Sequence, residues 1–199
     1  ITDMDQPLGN YIGNALEVEE AIDILAGRTQ GDLKTVALEL GAHILRGAGV
    51  VETVAAGVRM LQQKIDNGEG LKKLAEMIAA QGGDPRVCDN TALLPHAPTL
   101  IDIKADREGY VYAMTTSDIG NAAKLLGAGR ERKTDEIDLS VGIVMKKRIG
   151  DAVKRGDVLC TLHAGPKSDR TAAYNLVKRA ITISAEKPAA HQLIHAVVE

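Results

Sequence analysis

The head of the chain gathers oxygen donors that could act together. Asp3 and Asp5 stand two residues apart, Gln6-Pro7-Leu8-Gly9-Asn10 reads as a tight turn at a strand end, and Glu17 falls just beyond Gly13-Asn14. Two acids at a strand end repel each other unless they are solvated or beside a cation. A turn from Leu8 to Tyr11 points carbonyl oxygens inward, and a carboxylate from the next helix completes a cage of hard oxygen ligands. The same residues also spell a helix start, because Asn14 is a good N-cap and Glu17, three residues on, completes a capping-box pattern. Spacing alone leaves both readings open.

Other candidates are weaker. Gly127-Ala128-Gly129-Arg130 could meet an anion, since glycines let backbone N–H groups approach and Arg adds charge; it reads equally as a flexible connection. Met145-Lys146-Lys147 resembles a biotin- or lipoyl-accepting lysine, but such a lysine needs a hairpin tip, and the Gly150-Asp151 turn follows directly. His191 and His195 are four apart with no third ligand in the pattern, so they read as tail histidines, and His43 and His96 have no evident partners.

These residues need elements to hold them. Val18, Ala21, Ile22 and Leu25 recur at helical spacing up to Gly27. A second helix after Gly31-Asp32 places Leu33, Val36, Ala37, Leu40, Ile44 and Leu45 inward. A third spans about 51–67 with Val54, Val58, Leu61 and Ile65 inward, and a fourth spans 69–80 before Gly82-Gly83-Asp84-Pro85. Beyond a linker near 84–98 the period becomes two, giving strands at 99–105, 110–114 and 141–145. Thr116 or Ser117 caps a short helix over 118–126, and a charged, glycine-rich loop at 127–135 reads as mobile. The Gly150-Asp151 and Gly156-Asp157 turns resemble those of biotinyl/lipoyl-type barrel-sandwich modules. A last helix is expected over 170–184. The expected fold class is α+β: 1–98 a strand end with a helical layer on a partial sheet, 99–165 a β-rich barrel-sandwich-like domain with an inserted helix and loop, 166–199 a helix and tail.

Composition narrows the function. Aromatic content is 2%, with four Tyr and no Trp or Phe, so stacking platforms for single-stranded nucleic acid are not expected. The net charge of −3 comes from dispersed charges rather than a basic patch. No apolar run approaches the ~18 residues of a membrane span, and Cys88 and Cys160 match no metal or redox spacing. These features fit a cytoplasmic protein without membrane or nucleic-acid partners.

Two blocks carry a family resemblance. Asp3-Met4-Asp5-Gln6-Pro7-Leu8-Gly9, followed by Gly13-Asn14-Ala15-Leu16-Glu17-Val18 and Glu20-Ala21, resembles the strand–turn–helix motif of the pyrimidine-nucleoside and thymidine phosphorylases. Leu126-Gly127-Ala128-Gly129-Arg130, then Asp135, Ile137-Asp138 and Val141-Gly142, is similar to their C-terminal domain, and the Gly-Asp turns follow in the family's order. The resemblance covers essentially the whole chain and corresponds to roughly the last half of a family member.

It implies reversible phosphorolysis of pyrimidine nucleosides to free base and pentose 1-phosphate, a pentosyl transfer of nucleoside salvage. It implies that phosphate and base are held in the N-terminal half. No Lys-His-Ser-Thr-Gly-Gly-like loop occurs here, so catalytic residues are expected to be absent and the chain alone inactive. It further implies a potassium site using the carbonyls of Leu8 and Tyr11 and the Glu17 carboxylate, with Tyr11 replacing the small residue usual there; a lid formed by Gly127, Ala128, Gly129 and Arg130; and a homodimer when full length. A nucleoside-monophosphate (AMP-type) phosphorylase and a non-catalytic barrel-sandwich carrier or interaction module are the alternatives.

Overall fold

Small residues and helix breakers divide the chain before any long-range contact is considered. The computed structural model describes residues 1–198 and separates into two compact units, one of residues 1–17 with 95 onward and one of Val18–Leu94. The opening segment, expected to go with the helices, thus groups with the β-rich unit. The reason is strand pairing: β1 (Tyr11–Ile12) runs antiparallel to β4 (Gly142–Met145), Tyr11 opposite Val144 and Ile12 opposite Ile143. The strand therefore lies after the turn. Ahead of it there is only an isolated bridge between Thr2 and Ile194.

Val18–Leu94 is helical. It takes up α1 (Asn14–Leu25) beyond Glu17, then α2 (Asp32–Gly47), α3 (Val54–Asp66) and α4 (Glu69–Ala80). Thr53 caps α3 by accepting a hydrogen bond from Ala56 N–H at 3.2 Å. Asp84 caps a short 3₁₀ turn, Pro85–Cys88. α2 and α3 approach closely because Gly57 lies on Ala42; an added Cβ would come within 2.8 Å of it. Leu71, Leu74, Ala75 and Ile78 of α4 pack on Ile22, Val87 and Cys88. Half of the expected apolar face of α2 is not inward: Leu40 is 58% and Ile44 71% exposed, while Lys34, Val36 and Ala42 are buried. The small-residue face, not the leucine-rich one, meets α3, because helix backbones can approach most closely there.

The β-rich unit contains two antiparallel sheets, ordered β1-β4-β6-β2 and β5-β3-β7, and no closed barrel among the described residues. β2 (Thr99–Lys104) and β4 flank β6 (Val158–Ala164); β5 (Ala152–Val153) and β7 (Ile181–Ser184) flank β3 (Gly109–Met114). α5 (Thr116–Leu126) and α6 (Arg170–Ala180) share the apolar core of Ile103, Val111, Ile119, Ile143, Leu162 and Val177. The last helix stops four residues earlier than its periodicity implies. Ile181-Thr182-Ile183 is β-branched and finds β3 as a partner, and strand pairing wins over helix continuation.

Both cysteines are free and buried, and burial pushes the Cys160 thiol up to about 12. Thiolate is the reactive form. Ellman's reagent at mildly alkaline pH should therefore label neither thiol in the folded chain and both after denaturation. Prompt labelling of Cys160 in the native state would contradict the packing.

Candidate functional site

Pro7 and Gly9 make the opening turn, and its orientation is fixed from the far end of the chain. Gln6 is buried, and its Oε1 accepts the N–H of Ile149 at 2.9 Å. The next guanidinium over, that of Arg148, donates to the carbonyls of Pro7 at 2.6 Å, Gly9 at 3.2 Å and, at the margin of hydrogen bonding, Leu8 at 3.4 Å. Arg148 N–H in turn donates to the Asp151 carboxylate at 2.7 Å, which fastens it to the Gly150-Asp151 turn. A protein cation thus lies against the carbonyls of the turn, among them, at the margin, that of Leu8, one of the two expected to face a metal. Nothing local in the sequence signals this contact, because its partners lie about 140 residues apart.

Past the turn, Asn10 carbonyl accepts Met145 N–H at 2.7 Å, and the chain enters β1. Gly13 then packs against Gly142, where a Cβ on Gly13 would collide with the Val141 carbonyl and one on Gly142 with the Ile12 carbonyl. The two backbones meet with no room for side chains. This contact sets where α1 begins.

The N-terminus of α1 is capped by a side chain of its own first turn. Glu17 Oε1 accepts Gly13 N–H at 3.1 Å, while Glu17 N–H donates to Gly13 carbonyl at 2.8 Å. Gly13, not Asn14, is the capping position. Asn14 is freed for a long-range role and donates from Nδ2 to the carbonyl of Ala128 at 3.0 Å. Ala15 N–H donates to Leu139 carbonyl at 3.0 Å.

These bonds bring the glycine-rich loop to the helix. Gly127, left-handed at φ 111°, ends α5, and Ala128 N–H returns to Ala123 carbonyl at 3.0 Å. Asp135 holds the loop by accepting from the N–H groups of Glu131 and Arg132, at 3.1 and 2.8 Å, while Arg130 Nε donates to Asp135 carbonyl at 3.1 Å. The loop expected to be mobile is thus folded on Asp135. Beside it lies a cavity of about 310 Å³ lined by Gly13, Asn14, Glu17, Lys124, Gly129 and Arg130 among others. One carboxylate and two cationic side chains share its wall. Such a lining can hold a polar group that carries both acceptors and donors.

Glu17 and the 128–130 loop are therefore brought together. Leu8 and Tyr11 do not line that cavity, and Asp3 and Asp5 lie elsewhere, in a second cavity with His191 and His195. Lys147 is half-buried with its ammonium 4.0 Å from Asp157, and both Lys146 and Lys147 donate backbone N–H groups to Leu159 carbonyl. That is not the free hairpin tip a carrier lysine requires. Among the described residues no group of three or more His, Cys, Asp or Glu side chains is arranged to hold a metal ion, and no helix is long and apolar enough to cross a membrane.

Residues 110–184 fit the pyrimidine nucleoside phosphorylase C-terminal domain family. Across its whole length the chain is 43% identical, over 201 aligned residues, to the pyrimidine-nucleoside phosphorylases of a bovine Staphylococcus aureus strain and of strains COL and MW2. The alignment takes in 45% of each relative, so the chain spans a little under half their length. Over its whole length the chain is thus similar to part of the pyrimidine-nucleoside phosphorylases, and residues 110–184 to their C-terminal domain.

The glycine contact yields a paired prediction. Gly142→Ala should destabilise the chain by about 2–4 kcal/mol, since backbone must move to admit the methyl. Gly120→Ala, in α5 where an added Cβ meets nothing within 4 Å, should stabilise it by about 0.5–1 kcal/mol. Urea denaturation of the two variants checks both signs.

Proposed function

We propose that this chain supplies the C-terminal part of an enzyme that cleaves pyrimidine nucleosides with phosphate. The observation that carries the reading is the 43% identity over every part of the chain to enzymes of that name. In the reaction a phosphate oxygen bonds to the sugar C1 as the C1–N bond breaks. The bonding pair leaves with the base, which then takes a proton, and a pentose 1-phosphate is released. The transition state separates charge between a positive sugar centre, an anionic nucleophile and an anionic leaving base, so fixed charges around it matter most.

The groups that hold phosphate and base are assigned to the part of the relatives that this chain does not span. Its own contribution is to carry the turn and the loop. Potassium is the proposed cofactor, held by the Leu8 and Tyr11 carbonyls and the Glu17 carboxylate. The donor chemistry fits: all three are hard oxygen ligands. Leu8 carbonyl has two lone pairs and only one long contact to Arg148, and the cap to Gly13 engages one of the two Glu17 oxygens. The bound ion would supply positive charge. The 127–130 loop, tied to α1 through Asn14, is the proposed lid. A homodimer in the cytoplasm completes the reading; the free thiols accord with a reducing compartment.

The test uses the 199-residue chain with and without a separate polypeptide covering the remainder of the Staphylococcus aureus relative. Phosphate-dependent release of uracil or thymine is expected only from the mixture. Release by the chain alone would overturn the assignment of phosphate and base groups, and no release from a mixture that assembles would overturn the proposed activity. Glu17→Gln in the active mixture should raise the potassium concentration for half-activation about tenfold, by loss of one charged ligand.

A further inference from the structure

α2 carries more apolar surface than the helical unit uses. At about 100° per residue, Leu33, Ala37, Leu40 and Ile44 fall on one stripe, and Gly41, Ala42 and Leu45 fall on the next. Thr35, Glu39, His43 and Arg46 hold the polar side. The apolar arc thus covers about half of the circumference or more, against the ~100° that a helix packed on one side presents.

Only the second stripe is used. An added Cβ on Gly41 would come within 2.7 Å of Leu61, and Ala42 lies against Gly57, so α3 covers this side. Lys34, on the same side, is buried with its ammonium on Gln30 Oε1 at 2.9 Å. The first stripe stays open: Ala37, Leu40 and Ile44 are all exposed. Among the described residues α3 is the one element against which α2 packs extensively, and no residue of α2 joins the small core around Ile22. Single exposed aliphatic residues are ordinary on a protein surface. Aliphatic residues in helical register on a side opposite the polar one are the pattern of a helix buried on both flanks.

We propose that the Leu33–Ala37–Leu40–Ile44 stripe is the docking face for the part of the relatives that this chain does not span, which lays an aliphatic surface of its own along α2. The inference rests on the proposed reading of the chain as one part of a longer phosphorolytic enzyme. Two observations favour this occupant over a second copy. The alignment takes in 45% of each relative, so more than half of their length is available to supply the covering surface. α2 has 16 residues, which makes the stripe about 24 Å long and about 10 Å wide. Two copies paired through it alone would bury well under the ~800 Å² per partner of a stable complex. A segment of the same polypeptide docks at an effective concentration in the millimolar range and needs far less area.

Thiol labelling tests the face on the chain as it stands, because Cys88 and Cys160 are both buried. Leu40→Cys places one exposed thiol on the stripe, and Thr35→Cys places one on the polar side. Alkylation by iodoacetamide is followed with and without an excess of the separate polypeptide covering the remainder of the Staphylococcus aureus relative. The remainder should slow alkylation of Leu40→Cys about tenfold or more and leave Thr35→Cys within about twofold. The double variant Leu40→Asp with Ile44→Asp should bind the remainder about 100-fold more weakly, read by fluorescence anisotropy, because two buried aliphatic side chains are exchanged for charges. Equal labelling of Leu40→Cys with and without the remainder, or slow labelling in the chain alone because copies pair, would overturn the proposal. Protection of Leu40→Cys in a mixture that releases no base would support the docking face and overturn only the activity. Base release from a mixture in which Leu40→Cys stays unprotected would overturn the docking face and leave the activity standing.

Discussion

The β-rich unit depends on one close approach, where Gly13 and Gly142 bring two backbones together without side chains between them. β1 is only two residues long, too short to fix its own register by side-chain alternation. The register is instead imposed by the steric demand of that contact, which only glycine satisfies on both sides. Once it is set, Gly13 is positioned to cap α1 and Ile12 to sit opposite Ile143 in the sheet. The start of a helix and the edge of a sheet are thus a single structural decision.

Around this point the chain ties distant segments together with polar bonds rather than with more apolar surface. Arg148 and Gln6 clamp the opening turn from opposite ends of the sequence, and Asn14 reaches the loop after α5. Each bond is modest, of order 1 kcal/mol net. Their value lies in direction, since a guanidinium over three carbonyls or a side-chain amide on one carbonyl fixes orientation as packing of aliphatic residues does not. This suits a chain whose core is built of Leu, Ile, Val, Ala and Met with almost no aromatic residues. Its mixed-charge cavity beside α1 is a consequence of that polar framework.

The separation of the chain into two units bears on function as well. The helical unit contains its own small core and leaves Leu40 and Ile44 of α2 exposed, while the turn, the cap and the loop all belong to the β-rich unit. Residues that the family resemblance assigns to ligand binding therefore sit on one body.

Much was readable from the residues alone. Four helices with their glycine breaks, the switch to period two near residue 99, the Gly-Asp turns, the α+β class and the family blocks all follow from local patterns of spacing and turn chemistry. What was not readable depends on partners far along the chain. Ile181–Ser184 continues a helical pattern on paper and becomes a strand because β3 is there to pair with it. Asn14 is a good cap by type and is displaced from that role because Gly13 is pinned against Gly142. Leu40 and Ile44 lie at inward-facing spacing, yet the small-residue face of α2 is the one that packs. Arg148, His191 and His195 acquire partners only through contacts spanning most of the sequence. Local propensity determined which elements exist. Tertiary structure decided which face, which cap and which charge pair each would use, because those choices are settled by steric fit and electrostatics between segments that the sequence keeps apart.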